Sequence, residues 1–176
     1  MATNLEFVKQ EIIYDGAYNL VDFTNLFTDK YNHYTIFIDL EYNGASYLDI
    51  YLLDSGGSQI LTSNYSVRMR DLRSNLAVGY YAYDNSTLWR GLGGYLNDID
   101  RGYGLKLEIF NPTSTSTGTF ALAQSVSPNS GGSFGNNAVA TFNNNTGIYG
   151  LRINGSGGGA VLFTYIKLTV YGNKYE

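Results

Sequence analysis

The chain has 176 residues, enough for one ordinary domain that buries roughly 70% of its unfolded surface. With 11 Lys and Arg against 15 Asp and Glu, its formal charge of -4 argues against binding nucleic acid or an anionic membrane, because that affinity comes from clustered cations. The absence of cysteine excludes disulfides, thiolate metal sites and thiol catalysis, while 21 Gly, 17 Tyr and 9 Phe beside only 15% charged residues point to an aromatic-rich all-β protein.

Met1 to Tyr14 mixes acidic with apolar residues and lacks the unbroken apolar run of a signal peptide or anchor. Leu5 to Tyr14 is read as a strand. Ala17 to Phe23 forms the next strand, and Asn25 to Tyr31 holds at most one helical turn. In YTIFIDLEY, Tyr34, Ile36, Ile38, Leu40 and Tyr42 share one face, as expected of a half-buried antiparallel strand. YLDIYLLD repeats the pattern, with Leu48, Ile50 and Leu52 inward and Tyr47, Asp49 and Tyr51 outward. Asn43-Gly44 between the two runs predicts a hairpin.

Further strands are predicted at Tyr65 to Arg70, Leu76 to Tyr83, Thr87 to Leu92, Leu105 to Phe110, Thr119 to Val126, Ala138 to Phe142 and Ile148 to Ile153. Ser127 to Asn137 and Asn154 to Gly159 are Gly-rich and read as tip loops. The closing run, VLFTYIKLTVYG, places Leu162, Thr164, Ile166, Leu168 and Val170 on one face. The other face carries Val161, Phe163, Tyr165, Lys167, Thr169 and Tyr171, a surface suited to being covered by another molecule. A dozen short antiparallel strands with no convincing helix predict a single domain over residues 1–176, a two-sheet β-sandwich of jelly-roll type.

Catalytic chemistry finds little support. His33 is the only histidine and sits in a turn, so a triad or a multi-His metal site has no second member. Asp39 and Glu41, with Asp49 nearby, project from strand faces opposite the core; two carboxylates are the minimum for glycoside hydrolysis, but solvent-facing charges look the same. Asn97 to Gly102 resembles a calcium loop only at its start, since Gly102 takes a ligand slot and no glutamate closes it; a polar turn is the first reading and a Ca²⁺ ion shared with another loop the alternative. The expectation is therefore no catalytic residue, no cofactor and no enzyme.

Aromatic side chains carry the stronger signal. Tyr80, Tyr81, Tyr83, Trp89, Tyr95 and Tyr103 crowd one short region, and strand alternation forbids Tyr80 and Tyr81 from both facing the core. Tyr81, Tyr83, Trp89, Arg90, Tyr95 and Tyr103, with Tyr47 and Tyr51, are the candidates for a protein interface or a sugar-stacking platform; ring caps at the ends of the sandwich are the plainer alternative. Arg68, Arg70 and Arg73 form the one basic concentration, placed to guard an edge or to grip an acidic neighbour.

Two stretches, YNHYTIFI with Tyr31, Tyr34, Ile36 and Ile38, and GGGAVLFTYIKLTVYG at the other end, resemble the small all-β virion proteins of tailed double-stranded DNA bacteriophages. The resemblance implies a jelly-roll structural protein without cofactor, assembled in the host cytoplasm into the virion. Its implied partners are the major capsid protein or other virion proteins and further copies of itself, with capsid decoration or cement as the first expectation and, by the same analogy, Met1 to Tyr14 as an extended arm across a neighbour. The alternative is a tail or fibre module that binds host-surface glycans.

Overall fold

The computed structural model describes residues 5–44, 46–73, 78–92, 95–96, 102–129, 132–156 and 162–173. Period-two alternation yields strands throughout: β1 (Leu5–Tyr18), β2 (Leu20–Phe23), β3 (His33–Asn43), β4 (Ser46–Leu53), β5 (Tyr65–Arg73) and β6 (Val78–Ser86). They are followed by β7 (Tyr95–Leu96), β8 (Tyr103–Phe110), β9 (Thr119–Asn129), β10 (Gly132–Phe142), β11 (Gly150–Ser156) and β12 (Leu162–Asn173). No helix occurs among the described residues.

All strand pairs are antiparallel and form two sheets. The larger runs β1-β12-β3-β8-β9-β10-β5-β6, and the smaller β2-β11-β4-β7. The chain repeatedly changes sheet, with β2, β4, β7 and β11 each leaving the large sheet for the small one, as in a jelly roll. The fold is the expected two-sheet antiparallel β-sandwich.

The core lies between the sheets. From the large sheet come Tyr34, Ile36, Ile38, Leu40 and Tyr42 of β3, Leu105, Leu107 and Ile109 of β8, and Ile166, Leu168 and Val170 of β12. Val21, Phe23, Leu48, Ile50, Leu52, Leu151 and Ile153 face them from the small sheet. Four strands cannot roof eight, so connecting segments supply Leu26, Phe27, Tyr31, Ile60, Trp89, Leu92 and Ile148 around the rim. Buried ring tips are satisfied. The Thr28 amide donates to the Tyr34 hydroxyl at 2.7 Å, which donates to the Thr28 carbonyl at 2.8 Å; the Tyr65 hydroxyl donates to the Ile60 carbonyl at 2.8 Å.

Several local expectations are corrected. Asn43-Gly44 is a turn, with Gly44 at φ 115°, but it makes no hairpin: β3 pairs with β12 and β8, while β4 pairs with β11 and β7 in the other sheet. Turn chemistry marks a reversal without naming the strand's partner. In β12 a bulge between Phe163 and Tyr165 resets the alternation, so Phe163 joins the buried face with Ile166. Ser127 to Asn137 is not a loop but the end of one long hairpin, with β9 running to Asn129 and β10 starting at Gly132. Thr87 to Leu92 is no strand; Trp89 makes only an isolated bridge to Ile50. The stretch Asn97 to Arg101 lies outside the described residues.

Candidate functional site on the open sheet face

Only one face of the eight-stranded sheet packs on the small sheet. Among the described residues nothing packs on the other face, and strand register fixes what stands on it. One row crosses six strands as Thr169, Phe37, Lys106, Gln124, Asn137 and Arg70, and ends at Tyr80 on β6. The next row along the strands carries Lys167, Asp39, Gly104, Val126, Gly135 and Leu72. On the other side of the first come Tyr171, Thr35, Glu108, Leu122, Val139 and Arg68.

This face is unusually apolar. Of the exposed large apolar side chains among the described residues, all but Tyr18, Leu20 and Leu61 stand on it, with Phe7 and Tyr14 62% and Tyr80 74% exposed. Monomeric surfaces rarely gather apolar groups so contiguously. The distribution within β9 and β10 is inverted relative to the usual pattern: Phe120, Leu122, Val126 and Val139 point out, whereas Ala121, Ala123, Ala138 and Ala140 point into the core. On the core side of β10 stands Trp89, the largest fully buried side chain among the described residues, whose indole N–H donates to the Thr141 carbonyl at 3.0 Å.

Charges on the face fall into paired and unpaired groups. Lys106 and Glu108 pair at 3.0 Å, and Arg68 forms a two-pronged contact with Asp84, at 2.8 and 2.7 Å. That contact holds the Asp84 carboxyl below the usual aspartate range and the Arg68 guanidinium above its own. Arg70 has no carboxylate partner among the described residues and lies over the Tyr80 ring, 5.9 Å from its centroid. Asp39 and Glu41, on β3, likewise make no ion pair among the described residues. At one end His33 stacks on Phe110 at 4.1 Å, and Phe110 on Phe120 at 4.5 Å; burial holds the imidazole below its ordinary pKa.

A shallow furrow crosses the face diagonally. It consists of a depression of about 500 Å³ between Glu108, Leu122 and Val139, one of about 310 Å³ between Phe37, Gly104 and Val126, and one of about 280 Å³ beside Glu41 and Tyr165. Adjoining depressions share Lys106 with Gln124, and Asp39 with Gly104. Gly104 opens its middle, since a β-carbon there would touch only the tip of Val126 at 3.8 Å.

The sequence-derived candidates divide sharply. Arg68 and Arg70 stand on the open face as expected, and Tyr80 points out while Tyr81 turns inward. Trp89 and Tyr103 are corrected: at 0% and 3% exposure they are core residues, because an aromatic ring in a small sandwich contributes most by filling it. Tyr81 and Tyr83 are half-buried against that core, and the exposed Arg90 lies over the Tyr83 ring at 5.8 Å. Tyr47 and Tyr51 are half-buried on the small sheet, away from the open face. Asp49 does not join Asp39 and Glu41. It is buried on the other sheet, accepting a hydrogen bond from the Gly91 amide at 2.6 Å. Tyr95 and Arg73 have their backbones on β7 and β5; their side chains are not among those described. Phe7, Tyr14, Phe37, Phe120, Leu122, Val126 and Val139 were not singled out from sequence, and the signal available was the alternation of large and alanine residues in FALAQSV.

Neither any family model nor any curated protein matches the chain. Among solved structures it is similar to the marine PL-14 alginate lyase from Aplysia kurodai, at 10% identity over 85% of this chain and 72% of that one, with a TM-score of 0.40. It is also similar to alginate lyase Aly36B, as a double mutant in complex with an alginate tetrasaccharide, at 11% identity over 95% of this chain and 80% of that one, with a TM-score of 0.34. The expectation that the chain is not an enzyme is corrected by this finding, since solved neighbours of the fold are enzymes and the exclusion of catalysis falls. Likeness at this level assigns neither an activity nor a substrate to the chain.

Proposed function

We propose that this chain is an assembly protein of a phage particle, first of all a capsid decoration or cement component, whose open sheet face is buried by protein in the assembled state. The observation that carries the reading is the gathering of exposed large apolar residues on that single face, with aliphatics at its centre on β9 and β10. Leu122, Val126 and Val139 offer protein side chains a dry contact, and no core position is left to explain their size. Mixed charge and amide groups around them give the polar complement of a repeated, moderately strong contact. The phage setting rests on the resemblance of YNHYTIFI and GGGAVLFTYIKLTVYG.

Electron microscopy of particles carrying the chain tests this reading. Open faces buried against protein, with the chain at high copy number, are expected; open faces left bare in the assembled particle would remove it.

A second reading is favoured by the furrow, whose Lys106, Glu108, Gln124 and Asn137 with the Phe37 and Tyr165 rings could hold an extended glycan. A glycan array compares wild type with Gly104→Leu, which fills the furrow without touching the core. Binding by wild type that the variant loses supports this reading, and no binding by either protein ends it.

A further inference from the structure

We infer that the molecule covering the open face is a second copy of this chain, stacked face to face about a twofold axis running along β9. The inference rests on the reading of that face as one buried by protein, and it names the occupant.

Charge placement supplies the first support. Asp39 and Glu41 on β3 and Arg70 on β5 make no ion pair among the described residues, nor does Lys167 across from Asp39 on β12, and in the order β3-β8-β9-β10-β5 the strands of Asp39, Glu41 and Arg70 lie two places to either side of β9. A twofold along β9 lays β5 of each copy over β3 of the other. The same complement therefore forms twice.

Residues on a twofold meet their own copies, so a charge there would face its like. The outward residues of β9 are Phe120, Leu122, Gln124 and Val126, all uncharged. The flanking strand β8 carries Lys106 and Glu108, already paired with each other, and the same rotation sets them over Asn137 and Val139 of β10. No like charges are opposed in the central three strands.

Rotation about a strand axis also preserves position along the strands. Arg70 and Phe37 belong to one cross-strand row, so the guanidinium of each copy comes over the Phe37 ring of the other. Asp39 stands two residues farther on, about 6.6 Å along the strand, within reach of the same side chain. The rotation overlays seven of the eight strands, from β12 to β6, with β1 projecting beyond the overlap; seven strands spaced about 4.8 Å apart and about 20 Å long present on the order of 700 Å² per copy, close to the roughly 800 Å² per partner of a standard stable interface.

Sedimentation velocity on the full chain across a concentration series tests the inference. A dimer is expected, and Arg70→Glu alone, or Asp39→Lys alone, should raise its dissociation constant at least about tenfold by setting like charges together. The double variant carrying both changes should recover most of that loss, while far-ultraviolet circular dichroism and the unfolding midpoint show each variant folded. A chain that stays monomeric, or a dimer indifferent to both single variants, overturns the inference. If the chain is monomeric while microscopy shows the face buried by a different protein, the second copy is ruled out and the covered face stands; bare faces in the particle overturn both.

Discussion

The two faces of β9 and β10 carry the same backbone and opposite chemistry. Inward stand Ala121, Ala123, Ala138 and Ala140, outward stand Phe120, Leu122, Val126 and Val139, and only the inward set is sealed from water. A sheet whose large side chains served only its own stability would turn them toward the core, where each buried Leu or Phe contributes about 1.5 to 3 kcal/mol. On the core side Trp89 enters from a connecting segment and is tied to β10 by its hydrogen bond to the Thr141 carbonyl. The inward face is built to fit this chain's own parts, and the outward face to fit something added.

The sharpest way to break that comparison is to empty the inward side. Trp89→Ala removes the largest fully buried ring among the described residues and its hydrogen bond to Thr141 and leaves a cavity in the core, so a loss of about 3 to 5 kcal/mol in unfolding free energy is expected by urea titration. A loss below about 1 kcal/mol would mean that the ring does not fill this space. Overfilling should cost less. Ala140→Leu forces three more carbons into the same close-packed layer and is expected to destabilise by about 1 to 3 kcal/mol. Its chain neighbour on the other face gives the contrast: Val139→Ala should change monomer stability by no more than about 0.5 kcal/mol while weakening whatever association the open face makes. Equal losses for the two variants would erase the distinction between the faces.

How much of this could be read from residues alone depended on what fixes each feature. Alternation located most strands, and for β3 and β4 it also assigned the inward face, because both have a clean apolar set with polar partners. It failed in β12, where one extra residue at the bulge moved Phe163 to the other side. It also missed the site. In FALAQSV both faces are apolar, so alternation alone does not say which one meets the core, and the pairing of β9 with β8 and β10 decides it. Counting aromatics pointed at Trp89 and Tyr103 because crowding suggests exposure, yet a core short of aliphatic mass on two strands draws rings in. Arg68 and Arg70 were legible, since charged residues two apart on a strand share the face that water reaches.

The smallest expected effect separates those two arginines. Arg68 donates to both carboxylate oxygens of Asp84, which holds that carboxyl below its ordinary value, with Ser66 as a lesser contributor. Because folding favours the anion, the stabilisation is fully present above the unfolded carboxyl's pKa near 3.8 and is lost as pH falls through the lower folded value. Both groups are exposed, so water and salt screen the pair and its effect on the unfolding midpoint should be slight even where it is complete. The carboxyl itself is the better reporter. Followed by NMR titration, Asp84 in the Arg68→Gln variant should titrate at higher pH than in wild type, whereas Arg70→Gln should leave it in place. An Asp84 indifferent to Arg68→Gln would mean that this guanidinium is not held at the β5–β6 edge, and the open face would then present Arg68 to its partner as a further unpaired cation beside Arg70.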